Sequence, residues 1–217
     1  RSLKNSKWAK KILIQPYNED SLQMSHLYDV VPECDFFLAI CGKFWFERLA
    51  KSKFKSWKKK MIQIDLGIDK KTYPFIKQKF NKINKRKIIY IGNDYSYNNF
   101  AKNLNYLKKI IDSSGKNIFG SAGNKQISTE EHYGWLNFKD KKILKIIKKY
   151  DFLIQVSKND ANPSTILESM SWGLIPLITK GCGYKEINKK LIIPQNNHKL
   201  VCKKISYLQK KNNKFLK

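Results

Sequence analysis

The residue types best suited to chemistry lie in one polar stretch, Ser157-Lys-Asn-Asp-Ala-Asn-Pro-Ser-Thr-Ile-Leu-Glu-Ser-Met-Ser-Trp-Gly173. Asp151–Val156 before it reads as a buried strand, so the loop leaves the carboxyl end of a sheet, where open parallel sheets bind ligands. Pro163 presets the first turn of a helix, and the free N–H groups at Ser164 and Thr165 suit a phosphate through hydrogen bonding and helix dipole together. Glu168 stands four residues after Ser164 and shares a helix side with Ser164 and Ser171, roughly opposite Ile166 and Met170. The apolar face is expected on the sheet and Glu168 toward the ligand. A carboxylate there can accept both hydroxyls of a ribose diol, leaving a diphosphate to the helix N-terminus. Asp160, in the loop, is placed to hold the far end of such a ligand. Taken singly, a solvated helix acid and an ordinary loop aspartate remain the blander alternatives; the combination is more specific than its parts.

Strand-like and helix-like segments alternate along most of the chain. Lys11–Gln15, Asp35–Ile40 and Met61–Ile64 read as short buried strands, with helical character over Ser21–Val30, opened by a Ser21 cap, and over Phe44–Phe54. Asp65–Lys87 reads as a linker between two α/β units. Lys87–Ile91 then forms a strand ending at Gly92, and Phe100, Leu104, Leu107, Ile110 and Ile111 mark one helical face. Further strands are expected at Asn117–Gly120, His132–Phe138, Asp151–Val156, Leu174–Thr179 and Leu191–Ile193. Asp140 caps a helix, Ser164–Trp172 forms a short one stopped by Gly173, and Val201, Ile205 and Leu208 line a last one. Such alternation implies an α/β fold with parallel sheets covered on both sides.

Other chemistry finds less support. Cys34, Cys41, Cys182 and Cys202 show no paired short spacing, and His26, His132 and His198 are scattered, so no metal-ligand cluster is readable and a reduced, cytosolic compartment fits best. The net charge of +27, with 44 Lys+Arg against 17 Asp+Glu, points at first to nucleic acid. Only Arg1, Arg48 and Arg86 are arginines, however, and arginine is the residue suited to bidentate base contacts. Lysine, asparagine and isoleucine share A/T-rich codons, so genome composition is the simpler source of the charge. Lys51–Lys60 interleaves Phe54 and Trp57 with lysines, a pattern that suits an anionic membrane surface, single-stranded nucleic acid, or a solvated helix end with its aromatics inward. The longest apolar run, Phe36–Cys41, is far too short to span a membrane. The chain begins at Arg1 and reads as the C-terminal part of a longer protein.

The stretch from Asp160 through seven residues to Glu168, then Ser-Met-Ser-Trp-Gly-Leu-Ile-Pro176 and Gly181-Cys-Gly183, resembles the donor-site signature of retaining glycosyltransferases of family 4. The resemblance implies the GT-B fold, two Rossmann-like domains facing across a cleft. Residues 1–65 would be the end of the acceptor domain, 66–86 the interdomain linker and 87–217 the complete nucleotide-sugar donor domain. It further implies that Glu168 binds the donor ribose, that Asp160 and the backbone at Ala161 and Asn162 face the transferred sugar, and that the Ser164 and Thr165 amides meet the diphosphate. Asp160 and Glu168 become the candidate catalytic pair. Gly134-Trp135-Leu136 resembles the loop beside the nucleotide base. The family often places Arg and Lys after the first donor-domain strand; by spacing from Gly92 those positions hold Asn93 and Asn98, with Lys102 as a substitute cation. His26 is expected to be structural.

The implied reaction transfers a sugar from a nucleotide diphosphate sugar to a glycan or lipid-linked acceptor, as in cell-envelope polysaccharide or lipopolysaccharide synthesis. It resembles front-face substitution through an oxocarbenium-like state, with the protein positioning the donor and stabilising the leaving phosphate. Neither metal nor cofactor is expected, nucleic acid is an unfavoured partner, and the location is cytoplasmic, at most peripheral on the membrane. The rival class is a binding module, a nucleotide-binding domain without turnover or a basic nucleic-acid binder.

Overall fold

The computed structural model describes residues 10–95, 99–138 and 140–216. Its contacts divide the chain into two units, the first holding residues up to Gly67 together with Asn159–Asn162 and Gly181–Glu186, the second holding the rest.

In the first unit, β1 (Ile12–Pro16), β2 (Phe36–Ile40) and β3 (Met61–Ile64) form a parallel sheet in that order. Alternation along β2 buries Phe37 and Ala39 against Leu27, Trp45, Leu49, Phe54 and Trp57. The opposite face leaves Ile12, Ile14, Phe36 and Ile62 exposed, so the described residues cover this sheet on one side, contrary to the two-sided burial expected. The helix predicted over Ser21–Val30 is replaced by turns and the 3-10 segments Ser25–Leu27 and Val31–Glu33. Asp20, rather than Ser21, caps this region by accepting from the Leu22 and Gln23 amides, and Pro32 bars any helical continuation. Helix α1 (Lys43–Arg48) follows β2 and gives way to 3-10 turns. Phe54 and Trp57 are buried among the core aromatics, which takes them out of reach of a membrane or nucleic acid.

The second unit is built on five parallel strands, β4 (Ile88–Ile91), β5 (Phe119–Ala122), β6 (Glu131–His132), β7 (Phe152–Gln155) and β8 (Ile175–Ile178), in the order β6-β5-β4-β7-β8. The order reverses at β4, the doubly wound pattern of a Rossmann-like sheet. Strands β4, β5 and β7 are buried throughout, as the inner strands of a sheet covered on both faces are. Helices α2 (Asn99–Lys102), α3 (Leu104–Ser114), α4 (Lys141–Lys148), α5 (Ser164–Trp172), α6 (His198–Gln209) and α7 (Asn213–Leu216) complete it. Leu107, Ile110 and Ile111 of α3 share one core with Val201, Ile205 and Leu208 of α6.

Three local expectations are corrected. Phe100 lies outside the buried face of α3 and is exposed, because Asn103 takes a left-handed conformation (φ 60°) that separates α2 from α3. The strand expected at His132–Phe138 shrinks to β6, since Gly134 turns the chain at φ 61°. Leu191–Ile193 forms one bridge, Ile178 to Ile192, instead of a sixth strand.

Segment 68–86 is held firmly to the second unit. Lys77 is buried, its Nζ 3.1 Å from Asp151 Oδ1 and 2.9 Å from the Lys148 carbonyl. The same aspartate accepts from the Asn81 and Lys87 amides.

Candidate functional site

The reversal of strand order leaves a crevice beyond the carboxyl ends of β4 and β7, and the second unit furnishes it with glycines and one helix end. Gly92 follows β4 and donates to the Ala122 carbonyl at 3.0 Å, and Gly123 donates to the Gly134 carbonyl at 2.8 Å. A side chain on Gly123 would collide with the Gly92 carbonyl, so the loops after β4, β5 and β6 meet backbone to backbone. Asn93 ties two of these loops together, its Oδ1 accepting from the Asn124 amide at 3.1 Å. That carbonyl oxygen therefore positions a loop instead of facing a ligand. Asn98 lies outside the described residues. Lys102 is half-buried at the end of α2. Beyond β6, Trp135 is 68% exposed while Leu136 packs inward.

Gln155 joins the two sides of the crevice. Its buried side chain donates to the Ile91 carbonyl at 2.7 Å and to the Thr165 hydroxyl at 3.2 Å, linking the end of β4 to the first turn of α5. The residue preceding α5 is Pro163, which has no side chain able to accept from first-turn amides, and none caps them. Ser164 is exposed and Thr165 half-exposed at this N-terminus. Gly173, in the left-handed conformation at φ 93°, ends the helix where expected.

Glu168 is the buried acid of this helix, 8% exposed. Burial pushes its carboxyl above the usual carboxylate range, opposed by hydrogen bonds from Ser164 and from Tyr73. Its Oε2 is buried without a hydrogen-bond partner. A buried acceptor of this kind is costly unless something donates to it. Met170, expected on the sheet-facing side, is exposed instead, whereas Ile166, Ser169 and Trp172 are buried. The burial thus runs around more of the helix than a simple two-sided pattern allows.

Asp160, Ala161 and Asn162 belong to the first unit, so the predicted pair Asp160 and Glu168 is divided between the units. The Asp160 amide donates to the Gly181 carbonyl at 2.9 Å, and its carbonyl accepts from Trp45 Nε1 at 2.8 Å. The Ala161 carbonyl, expected to face a sugar, accepts from the Gly42 amide at 2.9 Å. Asn162 is buried, its Nδ2 donating to Asp65 at 3.3 Å. Gly42 and Gly183 approach too closely for any side chain on Gly42. His26 is exposed on a 3-10 turn and takes no part in the core.

Sequence reasoning missed Gln155, Tyr73, Gly42 and Trp45. Only Gln155 left a signal, a polar residue closing the apolar strand Phe-Leu-Ile-Gln. Among the described residues no three His, Cys, Asp or Glu side chains gather as a metal site would require. None of the described helices is long and apolar enough to cross a membrane.

Residues 72–216, well over half of the chain, match the family of glycosyl transferases group 1. The chain belongs to this family. The match begins just before Tyr73, the Glu168 partner, and takes in the whole crevice. Solved structures agree on the fold. The crystal structure of TarM aligns with a TM-score of 0.66 at 12% identity, covering 98% of this chain and 45% of that one. The apo form of the lipopolysaccharide outer core galactosyltransferase WaaB gives 0.63 at 14% identity, covering 89% and 59%. A TarM mutant from S. aureus, solved with fondaparinux, alpha-GlcNAc-glycerol and UDP, gives 0.64 at 13% identity, covering 98% and 46%. The architecture is a Rossmann-like GT-B fragment. This chain spans about half the length of these structures. No curated protein matches it.

Proposed function

We propose that this group 1 glycosyltransferase chain carries the donor site of a retaining, family 4 enzyme. It would transfer a sugar from a nucleotide diphosphate sugar to a glycan or lipid-linked acceptor of the cell-envelope polysaccharide or lipopolysaccharide type. The observation that carries this reading is Glu168, almost wholly buried yet with one carboxylate oxygen lacking a donor. A ribose diol supplies two hydroxyl donors to such a carboxylate. The uncapped first turn of α5, aimed by Gln155 at the end of β4, suits the diphosphate. Gly92 and Gly123 let the loops after β4 and β5 close tightly beside this helix end, and the exposed indole of Trp135 offers a face for the nucleotide base.

In this reading residues 87–217 are the donor domain, 66–86 the linker and 1–65 the end of the acceptor domain. Asp160 stands for the sugar-side acid, and the enzyme works in the cytoplasm without a metal. The departing phosphate is stabilised by preorganised amides more than by side-chain charge, since Asn93 replaces a cation. The related structures lend support by their ligands, because a TarM mutant was solved with UDP and alpha-GlcNAc-glycerol.

The test is donor turnover by the full-length protein, followed as free nucleotide released from a panel of nucleotide sugars, with and without EDTA. Release with one donor, unchanged by EDTA and abolished in Glu168→Ala, is the expected result. Nucleotide binding with no release from any donor or acceptor would favour a binding module and overturn the enzymatic reading.

A further inference from the structure

At the far end of α5, away from its N-terminus, the second unit holds a cavity of about 1060 Å³ between segment 75–80, the start of β8, α6 and α7. That volume reaches the upper end of the range of about 300–1,000 Å³ typical of small-molecule pockets. Its walls are largely apolar, with Leu174, Pro176, Leu191 and Leu208 among them. Four exposed hydrophobic side chains crowd this one feature, Phe75, Met170, Tyr207 and Phe215. Exposed apolar surface gathered around an opening marks a binding site more often than scattered exposure does.

The charged groups at the cavity are all of one sign. Lys77, Lys190 and Lys204 line it, and none of the described lining residues is acidic. Lys77 is already paired with Asp151. Lys204 donates to a neutral acceptor, the Ile192 carbonyl at 2.8 Å, and burial lowers its pKa. Lys211 stands over the rings of Tyr207 and Phe215 at the rim, 4.1 Å and 5.1 Å from their centroids. Arg86, fully buried, lies 5.6 Å from the ring of Phe80, a wall residue, and two of its guanidinium nitrogens lack partners. An apolar cavity lined by Lys190 and Lys204, neither of them paired with a carboxylate among the described residues, complements a molecule with a long apolar tail and an anionic head.

We propose that this cavity seats an acyl chain of an anionic phospholipid at a bilayer surface, with the lipid phosphate on Lys190 and Lys204. Juxtaposed lysines draw a protein to anionic bilayers, and the volume and apolar lining of the cavity supply what surface charge alone lacks, a place for the tail. The proposal is independent of the donor-site reading, because its site uses the opposite end of α5 and its test reads lipid instead of nucleotide.

Co-sedimentation of the full chain with vesicles of phosphatidylcholine, alone or mixed with phosphatidylglycerol, tests it at physiological salt. The mixed vesicles are expected to pull the chain down, and Phe75→Ser combined with Phe215→Ser to weaken this about tenfold or more. Both rings are exposed, so the double variant is expected to keep the wild-type unfolding temperature; should it not, Lys190→Glu, at an exposed position, is expected to weaken binding as well. Lys108→Gln with Lys109→Gln, exposed on α3, changes charge elsewhere and is expected to leave binding intact. Equal loss in that control and in the cavity variants would assign binding to the lysine coat and overturn the proposal. So would self-association abolished by the cavity variants with no binding to either vesicle.

Discussion

A buried carboxylate on a helix that opens onto a crevice gives a specific pH signature. Burial raises the Glu168 pKa, with Ser164 and Tyr73 pulling the other way. On the proposed reading a ribose diol needs the ionised form, so nucleotide affinity is expected to fall as pH drops through that raised value, above the ordinary glutamate range. Glu168→Gln is expected to bind about 10- to 100-fold more weakly and to lose this pH dependence. Binding titrations from neutral to acidic pH check both. The stability linkage has the opposite sense. A raised carboxyl favours the fold fully below the unfolded glutamate value, and that contribution is lost as pH rises through the folded value. The helix bearing Glu168 was legible because Pro163, the small polar residues and Gly173 punctuate it locally. Gln155 and Tyr73 were not, since each gains its role from a partner far along the chain, Ile91 for one and Glu168 for the other. Met170 misled because α5 is buried around more than one face, which a two-sided wheel does not represent.

At the scale of elements, two features brace the second unit at the amino ends of its strands, opposite the crevice. Gly173 ends α5 in a left-handed conformation, and a side chain there would strike Phe75. Gly173→Ala is expected to cost about 1–2 kcal/mol from the backbone alone, with the clash added, as read in urea unfolding. Asp151, fully buried, holds Lys77, Asn81 and the start of β4. Asp151→Asn leaves the Lys77 ammonium buried without its counter-charge, and about 3–5 kcal/mol of stability is expected to be lost. Glu131 supplies a pH-dependent brace near the other edge of the sheet. Hydrogen bonds from Lys87 first, then Tyr133 and Tyr150, lower its pKa from 4.5 to about 2. Its stabilisation is present above 4.5 and lost as pH falls toward about 2. Acid unfolding of Glu131→Gln is therefore expected to lack that part of the transition. The strand alternation of the second unit could be read from its apolar runs, whereas the shortness of β6 could not. Gly134 is permitted, not compelled, to take a positive φ, and its turn is seen only once its carbonyl accepts from the distant Gly123 amide.

Over the whole molecule, charge was the most conspicuous feature and the least informative one. The aromatics within the basic stretch Lys51–Lys60 face the core, and its lysines coat the surface except Lys60, which donates to the Val31, Pro32 and Cys34 carbonyls. The open face of the first sheet, with Ile12, Ile14, Phe36 and Ile62 exposed, could not be foreseen, because β2 reads as an unbroken apolar run whichever face is covered. On the proposed reading, the doubly wound order of the second sheet is what places Glu168 at a donor site. Equilibrium binding of nucleoside diphosphates, set beside salt-titrated binding of RNA, tests that claim most directly. One nucleoside diphosphate is expected to bind the wild-type chain, to bind at least about tenfold more weakly to Glu168→Ala, and to outlast RNA as salt is raised. Tight RNA binding with no nucleotide affinity, or a nucleotide affinity that Glu168→Ala leaves unchanged, would contradict the account.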